Sequence, residues 1–266
     1  MAVLLSSTAL SAVVARLRAA GCVFAEDEAA LLVSAAADGP GLDLLVGRRA
    51  GGLPLEQVVG WAEFRGSRVE VDPGVFVPRR RSEFLVAEAV ALARPGDVVV
   101  DLCCGSGALG VALAEAVAGL ELHAADVEPA AVRCARRNVA RAGGRVYEGD
   151  LFGALPGPLR GRVGVLLANV PYVPSGEVRS LPAEARLYEP KVALDGGADG
   201  LEVLRRVSRE APEWLAPGGH LLVEVSGRQC GRAVEVLAAG GLVARAVRSK
   251  EWGSCVVVGS RPRVHG

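Results

Sequence analysis

The sequence predicts an α/β protein in which a seven-stranded, mostly parallel sheet follows a group of short helices. From Asp97 onward, apolar runs of strand length alternate with stretches of helical periodicity. Continuous Val and Leu runs such as Val163–Ala168 are typical of strands that helices cover on both faces. The 266 residues, 51% hydrophobic and 23% charged, suffice for one large domain, or for an ordinary domain with a small appendage, around a sizeable core.

The N-terminal part, residues 1–66, is predicted to be a helical domain. Helices over 8–20 and 26–37 and a turn over 55–59 are small, rich in Ala and separated by Gly and Pro. Such helices bury enough surface only when they pack as a bundle, and a possible role for this bundle is substrate recognition.

The first residues, Met1–Ala15, are apolar enough to imitate a secretion signal. They lack a preceding basic stretch, however, and the spacing of Leu10, Val13 and Leu17 favours an amphipathic helix that starts at Ser7 or Thr8.

Residues 67–96 are predicted to connect the bundle to the sheet, through a strand at Ser67–Asp72, a Pro-Gly turn and a helix. Residues 97–266 are predicted to be the catalytic domain. Its strands are expected at 97–101, 121–125, 145–148, 163–168, 219–225, 242–248 and 254–259. Helices are expected at about 83–93, 107–118, 128–142, 200–215 and 228–239. Ligands bind such sheets at the carboxyl ends of the strands, so functional residues are expected there.

Composition disfavours several classes of protein. The 30 basic and 30 acidic side chains cancel, which excludes the strong positive field expected of a protein that coats nucleic acid and favours a neutral or protein partner. No stretch of about 18 uninterrupted apolar residues is present, which predicts no membrane span. The 6 Cys include no CxxC pair and the 3 His lie far apart, which predicts neither a metal site nor a disulfide framework. We therefore expect a cytoplasmic protein with free thiols.

The first candidate site is a glycine turn between the first strand of the sheet and the helix after it. Gly105 and Gly107 allow positive φ and a close backbone approach to a ligand, and the helix N-terminus beyond offers unpaired N–H groups. With Gly110, the same spacing occurs in nicotinamide enzymes and in methyltransferases that use S-adenosylmethionine, so the turn alone leaves both open. The candidate residues here are Asp101, Cys103, Cys104, Gly105, Ser106 and Gly107.

Acidic residues follow the next two predicted strands. Asp126 ends the second strand, where a carboxylate can accept hydrogen bonds from both hydroxyls of a ribose. Asp150 follows the third strand and can accept from an adenine amino group, while the neighbouring Leu151 covers the ring. For Asp150 a solvated turn residue is the alternative interpretation.

The decisive segment ends the fourth strand and comprises Asn169, Val170, Pro171 and Tyr172. Pro171 forces Val170 into an extended conformation, which can turn the Val170 carbonyl and the Asn169 side-chain oxygen toward one point. Two acceptors beside an aromatic face suit a planar NH2 group, either a carboxamide or an exocyclic amine. Accepting both N–H hydrogens returns electron density to the nitrogen and aims its lone pair at a methyl sulfonium.

These residues, with others, resemble the protein-(glutamine-N5) methyltransferases of the release-factor type. The resemblance covers most of the chain. The other segments that carry it are Gly52–Gly60, Phe64–Gly66, Val71–Arg79, Glu189–Leu201 and Pro217–Glu224. Glu189–Leu201 is the most specific of these, since adenine methyltransferases that share the tetrapeptide do not usually carry it.

The resemblance implies a class I methyltransferase domain with a Rossmann-like sheet behind an N-terminal helical bundle. S-adenosylmethionine would lie over Cys103–Gly107, with Asp126 on its ribose, Leu151 by its adenine and Asn169 close to it. Asn169–Tyr172 would hold the substrate amide. The implied reaction is methylation of a Gln side chain in a protein, and the usual target in the family is the Gly-Gly-Gln loop of peptide chain release factors.

Four departures make this chain a divergent relative. The family's Asn-Pro-Pro-Tyr is Asn169-Val-Pro-Tyr here, which keeps the backbone carbonyl of the second residue. The family's Gly-Thr before Gly-Ser-Gly is Cys103-Cys104, and its Pro-Arg-Pro-Glu-Thr-Glu is Pro78-Arg-Arg-Arg-Ser-Glu83. The segment Arg248–Ser254 lacks the family's usual acid and Arg.

Other interpretations stay open from the sequence. The tetrapeptide also suits an adenine-N6 methyltransferase of RNA or DNA, and a silent fold that binds a partner through its N-terminal helices is a third hypothesis. The cluster Arg79–Arg81 is either a surface for an acidic partner or a solvated lead-in to the next helix.

Overall fold

Four short helices begin the part of the chain that the computed structural model describes, residues 7–263. They are α1 (Ser7–Ala19), α2 (Ala25–Ala35), α3 (Gly39–Ala50) and α4 (Leu55–Val59). Leu17, Leu32, Leu42 and Val46 form the centre of their common core. The first six residues of the apolar start considered above lie outside the described residues.

The sequence patterns did not predict α3, because its first residues, Gly39, Pro40 and Gly41, are ordinarily helix breakers. Here the Asp38 side chain accepts a hydrogen bond from the Gly41 N–H at 2.7 Å, and Pro40 occupies the first turn. Proline is tolerated in a first turn because its missing N–H has no partner there.

A two-stranded hairpin follows the bundle. It consists of β1 (Trp61–Phe64) and β2 (Ser67–Glu70), which pair antiparallel across Arg65 and Gly66. The hairpin therefore straddles residue 66, where the sequence analysis divides the chain. A 3-10 turn at Arg80–Ser82 then leads into α5 (Glu83–Leu92).

A seven-stranded sheet forms the rest of the core, which confirms the predicted fold class. Its strands are β3 (Val98–Leu102), β4 (Glu121–Asp126), β5 (Arg145–Glu148), β6 (Val163–Ala168), β7 (Leu215–Val225), β8 (Val243–Ser249) and β9 (Ser254–Ser260). The spatial order is β5-β4-β3-β6-β7-β9-β8, and β9 runs antiparallel to both of its neighbours while the other pairs are parallel. The helices are α6 (Ala108–Ala116), α7 (Pro129–Arg141), α8 (Ala183–Tyr188), α9 (Glu202–Trp214) and α10 (Cys230–Ala239).

Helices cover both faces of this sheet, as the continuous apolar strands predicted. On one face, α5, α6 and α7 pack in a cluster with Val99 and Leu167. On the other face, α9 and α10 pack in a cluster with Leu102 and Ala168. Alternate residues of one strand thus belong to opposite layers.

The expectation of free thiols is wrong for two cysteines. Cys230 at the start of α10 and Cys255 in β9 form a disulfide, with Cα atoms 6.3 Å apart. No local pattern indicated this pairing, since 25 positions separate the two residues and only the packing of α10 on β9 brings them together. Cys22, Cys103, Cys104 and Cys134 are free. Between residues 7 and 263, no helix is both long and apolar enough to cross a membrane.

Candidate active site

The carboxyl ends of β3, β4 and β6 open into a cavity of about 420 Å³. The parallel register sets Leu102 level with Ala125 and Ala168, so the residue after each strand reaches the same edge. Most of the predicted site residues line the cavity: Cys103, Cys104, Gly105, Ser106, Asp126, Asp150, Leu151, Asn169, Val170, Pro171 and Tyr172. Asp101 and Gly107 are not part of this lining.

The glycine turn is fastened to the neighbouring strand β4. The Cys104 N–H donates to the Ala125 carbonyl at 3.1 Å, and the Gly105 N–H donates to Asp126 Oδ2 at 2.8 Å. Gly107 begins α6 with φ +80°, and a Cβ at this position would lie 2.8 Å from a methyl of Val139. Glycine is required there both by conformation and by space.

Asp101 supports the glycine turn through a buried hydrogen bond. It is completely buried, and its Oδ2 accepts a hydrogen bond from the Gly110 N–H at 2.9 Å. Its Oδ1 is buried without a partner. Burial raises the pKa of Asp101 to about 8, because desolvation disfavours the carboxylate.

Asp126 lines the cavity beside the glycine turn. Besides Gly105, the Glu128 N–H donates to its Oδ1 at 2.9 Å, so both oxygens are held in place with lone pairs to spare. Burial raises its pKa, and these backbone donors oppose the rise.

Asp150 and Leu151 lie at the far side of the cavity. Asp150 forms an ion pair with Arg206 at 2.5 Å, so its carboxylate has a partner within the chain. Leu151 is buried and adopts φ +47°, a conformation that side chains other than glycine rarely occupy. Leu151 thereby presents an apolar surface to the cavity.

Asn169 provides an unused acceptor. Its Oδ1 is buried and has no hydrogen-bond partner among the described residues. Val170 also lines the cavity, and its carbonyl takes part in none of the hydrogen bonds of the described chain. Because an unsatisfied buried polar atom is costly, these acceptors point to a ligand that donates N–H groups.

The loop after Asn169 is held by the segment Glu189–Leu201. The Val173 N–H donates to the Leu194 carbonyl at 3.1 Å. Gln229 Nε2 donates to the carbonyls of Tyr172 and Asp199, at 2.8 and 3.1 Å. A Cβ on Gly200, which has φ +75°, would lie 2.2 Å from the Tyr172 carbonyl oxygen. The glycines of this segment therefore permit the close approach that fixes the tetrapeptide.

Two arginines of the cluster Arg79–Arg81 form ion pairs within the chain, which the sequence did not predict, whereas Arg80 is exposed. Arg79 Nη2 lies 2.6 Å from both oxygens of Glu189, and Arg81 Nε donates to Glu224 Oε1 at 3.0 Å. Both acids are buried, so these arginines pair within the chain. The Val77 N–H also donates to Glu189, at 3.1 Å. Glu189 thus ties the segment before α5 to the loop on the opposite side of the cavity.

Tyr172 and the thiols of Cys103 and Cys104 also line the cavity. Burial and the nearby Glu224 raise the pKa of Tyr172 to about 12, so its hydroxyl stays protonated. Burial, reinforced by Asp126, raises the pKa of the Cys103 thiol well above its usual value, and burial does the same for Cys104. Thiols held in the protonated form are poor nucleophiles, which suits a cavity for an electrophilic methyl donor.

Sequence reasoning missed Asn138 as a supporting residue. Its Nδ2 donates to the carbonyls of Glu70 and Ser106 at 2.9 Å each, and its Oδ1 accepts from the Glu70 N–H at 2.9 Å. It therefore links β2 to the glycine turn. Phe76, which lines the cavity, was noted only as part of a family segment. The sequence contains two Asn, Asn138 and Asn169, and this scarcity could have drawn attention to Asn138.

The residues present fit S-adenosylmethionine. The cavity has the size of a small-ligand site, and Asp126 offers spare acceptors for ribose hydroxyls beside the N-terminus of α6. Leu151 and Val127 offer apolar contact for a ring. The sheet order, the glycine turn after β3, the acid that ends β4 and the unpaired amide oxygen after β6 together define a class I methyltransferase.

Comparison with known proteins assigns the chain more closely. The model of the methyltransferase small domain matches residues 67–187. The release factor glutamine methyltransferase of Geobacter sulfurreducens is 40% identical over 183 residues, 68% of this chain and 63% of that protein. The Streptomyces coelicolor enzyme of the same name is 39% identical over 71% of this chain and 68% of its own length. The chain belongs to the release factor glutamine methyltransferase family.

Two further proteins are similar to this chain, one in sequence and one in fold. A 4-amino-L-phenylalanine/4-methylamino-L-phenylalanine methyltransferase of Streptomyces pristinaespiralis is also 40% identical, over 67% of this chain and 63% of that protein. A methyltransferase structure from Pyrococcus furiosus has a TM-score of 0.57 at 19% identity, covering 74% of this chain and 90% of that one. The curated relatives named here are thus matched over 63 to 68% of their lengths.

Proposed function

We propose that this protein transfers a methyl group from S-adenosylmethionine to the side-chain amide nitrogen of a glutamine in a protein, with a peptide chain release factor as the substrate. The observation that carries the proposal is the buried, unpaired side-chain oxygen of Asn169, a residue of the cavity lining that is followed directly by Val170, whose carbonyl is also unpaired among the described residues. Family membership supports the choice of a glutamine amide, since the relatives are named for it.

Bound S-adenosylmethionine supplies a methyl group on a positively charged sulfur. Asn169 Oδ1 accepts one hydrogen of the substrate NH2 group and the Val170 carbonyl accepts the other. These two hydrogen bonds add electron density to the nitrogen and fix the plane of the amide, so that the lone pair perpendicular to this plane points toward the methyl carbon. As the N–C bond forms, the S–C bond breaks and its electron pair stays on the sulfur, and the nitrogen gives up one proton to water. The same two acceptors stabilise the positive charge that grows on the nitrogen in the meantime. Neither His123 nor His220 lines the cavity.

The N-terminal helices, residues 1–66 in the proposed division into 1–66, 67–96 and 97–266, are the proposed substrate-recognition unit. They contact the wall of the cavity through α8. Arg49 Nη1 donates to Glu184 Oε1 at 2.5 Å, and the Tyr188 hydroxyl donates to the Gly51 carbonyl at 2.8 Å. A protein docked on the bundle would therefore lie next to the cavity mouth.

Label transfer tests the proposal. The protein is incubated with methyl-labelled S-adenosylmethionine and a purified release factor, and the label is mapped by peptide mass spectrometry. We expect it on the Gln of the Gly-Gly-Gln loop, and none on a release factor with Asn in place of that Gln. The Asn169→Ala variant is expected to lose about 100- to 1000-fold in kcat, because one preorganised hydrogen-bond partner is removed. Full activity in this variant would contradict the proposed role of the Asn169 oxygen.

A second candidate substrate is the arylamine of a free aromatic amino acid. The methyltransferase of 4-amino-L-phenylalanine is as similar to this chain as the release-factor enzymes are, at 40% identity. An arylamine is also a planar NH2 group that fits two acceptors beside an aromatic face. A parallel assay with 4-amino-L-phenylalanine separates the two candidate substrates. If the amino acid were methylated and the release factor were not, the arylamine would replace the glutamine amide as the preferred substrate.

A further inference from the structure

A buried acid, Glu224, lies beside the tetrapeptide on the neighbouring strand. Strand β7 pairs with β6 in parallel, with Leu167 opposite Leu222 and Ala168 opposite Val223. Leu167 and Leu222 pack together in the cluster beneath α5 and α6. Asn169 lies two residues after Leu167, and Glu224 lies two residues after Leu222. Because side chains alternate along a strand, both emerge on this same face of the sheet.

Glu224 holds two residues of the cavity wall at once. It is 2% exposed, and its Oε1 accepts from Arg81 Nε at 3.0 Å and from the Tyr172 hydroxyl at 3.3 Å. Arg81 Nη2 also donates to the Tyr172 hydroxyl. The hydroxyl therefore donates to one partner and accepts from the other, which leaves the ring little freedom to turn. Arg81 and Tyr172 line the cavity, whereas Glu224 is not part of the lining.

The ion pair also explains a departure from the family pattern. Arg81 stands where the family's segment has an acid, and here it supplies the opposite charge that a buried carboxylate needs. Glu224 Oε2 and Asn169 Oδ1 both remain buried without partners. Arg81 and Tyr172 thus separate the buried Glu224 carboxylate from the cavity that they line.

We propose that Glu224 is a positioning residue for the methyl acceptor, which fixes the Tyr172 ring and the Arg81 guanidinium as one wall of the acceptor pocket. It acts through Tyr172 and not by contact with the reacting atoms. This inference rests on the proposed function for its effect on methylation. Its effect on Tyr172 is independent of that function.

The test compares Glu224→Leu with Glu224→Gln, which keeps the shape and an acceptor oxygen but removes the charge. Glu224→Leu is expected to lower kcat/KM for the release factor by about 10- to 100-fold, because a misplaced wall spoils the alignment of the amide. The Kd for S-adenosylmethionine, measured by calorimetry, is expected to stay within about twofold, since Glu224 is not part of the cavity lining and its side chain bonds Arg81 and Tyr172, not the glycine turn. Glu224→Gln is expected to recover most of the lost activity.

A second readout does not depend on catalysis. The chain has 3 Tyr, so a protein labelled with ¹³Cζ-tyrosine gives a simple NMR spectrum, and Tyr172→Phe identifies the Tyr172 signal. We expect this signal to shift in Glu224→Leu and in Arg81→Met, and to stay near its original position in Glu224→Gln. An unmoved Tyr172 signal in Glu224→Leu would overturn the inference. So would a parallel loss of cofactor affinity and activity, which is what general damage to the site produces. If the parent protein methylates no release factor while the signal shifts as expected, the proposed function fails and the positioning role stands.

Discussion

At the scale of single residues, two positions under the cavity carry conformational or electrostatic cost. Cys103 adopts φ +55°, where the family has glycine, and Asp101 is a fully buried acid with one unpaired oxygen. Such costs are tolerated at functional sites when the surrounding structure determines the conformation.

Replacing Cys103 with Gly is expected to raise the free energy of unfolding by about 0.5 to 1 kcal/mol, because relief of the left-handed strain exceeds the greater entropy of an unfolded glycine. Urea unfolding without cofactor measures the change. The matched control is Cys104→Gly, whose backbone has no positive φ and whose side chain is buried. This control is expected to lose about 1 kcal/mol or more. If Cys103→Gly and Cys104→Gly both lowered the free energy of unfolding by the same amount, the positive φ at residue 103 would store no strain.

Asp101 is expected to make stability fall as pH rises. Its pKa of about 8 in the folded state lies above its ordinary value of 3.8, so the folded protein binds more protons than the unfolded chain between those values. The stabilisation is complete below about pH 4 and is lost as pH rises toward 8, with a difference between pH 5 and 8 of up to about 4 kcal/mol. Asp101→Asn is expected to flatten this part of the profile, as measured by urea unfolding at several pH values. A variant with the slope of the parent would exclude Asp101 as its source.

At the scale of elements, one arginine joins the helical bundle to the cavity wall. Arg49 is 8% exposed and binds Glu28 of α2, the Leu53 carbonyl and Glu184 of α8. Glu184 and its neighbour Ala185 line the cavity. The bundle therefore supports the site directly, in addition to any role in docking a substrate.

Arg49→Met is expected to cost about 3 to 5 kcal/mol in the free energy of unfolding, because it leaves the buried Glu28 carboxylate unpaired. Glu184→Gln is expected to cost at most about 1 kcal/mol, since the Glu184 side chain is half exposed. Thermal or urea unfolding of both variants, with Glu28→Gln/Arg49→Met as the rescue, measures the difference. Comparable losses in the two single variants would mean that the Arg49–Glu28 pair is not the main contact.

At the scale of the whole molecule, the balance of charge argues for a protein acceptor. The 30 basic and 30 acidic side chains give a formal net charge of zero, and many of them are paired across the surface. The net charge of the chain therefore provides no overall attraction for a polyanion.

We expect kcat/KM for the protein acceptor to change by less than about threefold between 50 and 200 mM salt. A nucleic-acid substrate held by 6 to 10 phosphate contacts would instead lose about 10³- to 10⁵-fold in affinity. Initial rates across this salt range measure the effect. A steep fall, together with label on RNA or DNA, would favour the adenine-N6 alternative.

The sequence by itself determined the sheet, its helices and most of the residues at its carboxyl edge. The periodicity of apolar residues is a local property, so the predicted strands at 121–125, 145–148 and 163–168 differ from those observed by no more than one residue. The residue after each parallel strand reaches one edge, which is why Asp126 and Asn169 could be placed together without coordinates.

Only the tertiary structure decided which groups hold that edge in place. Arg81 and Glu224 are 143 positions apart, Arg49 and Glu184 are 135 apart, and Cys230 meets Cys255 across a helix and a strand. No local pattern encodes such pairs, because an arginine that pairs with a buried acid and one that faces solvent look alike in the sequence. Packing brings the partners together. Burial then makes each pair important for stability, because a charge that is removed from water is costly unless an opposite charge lies beside it.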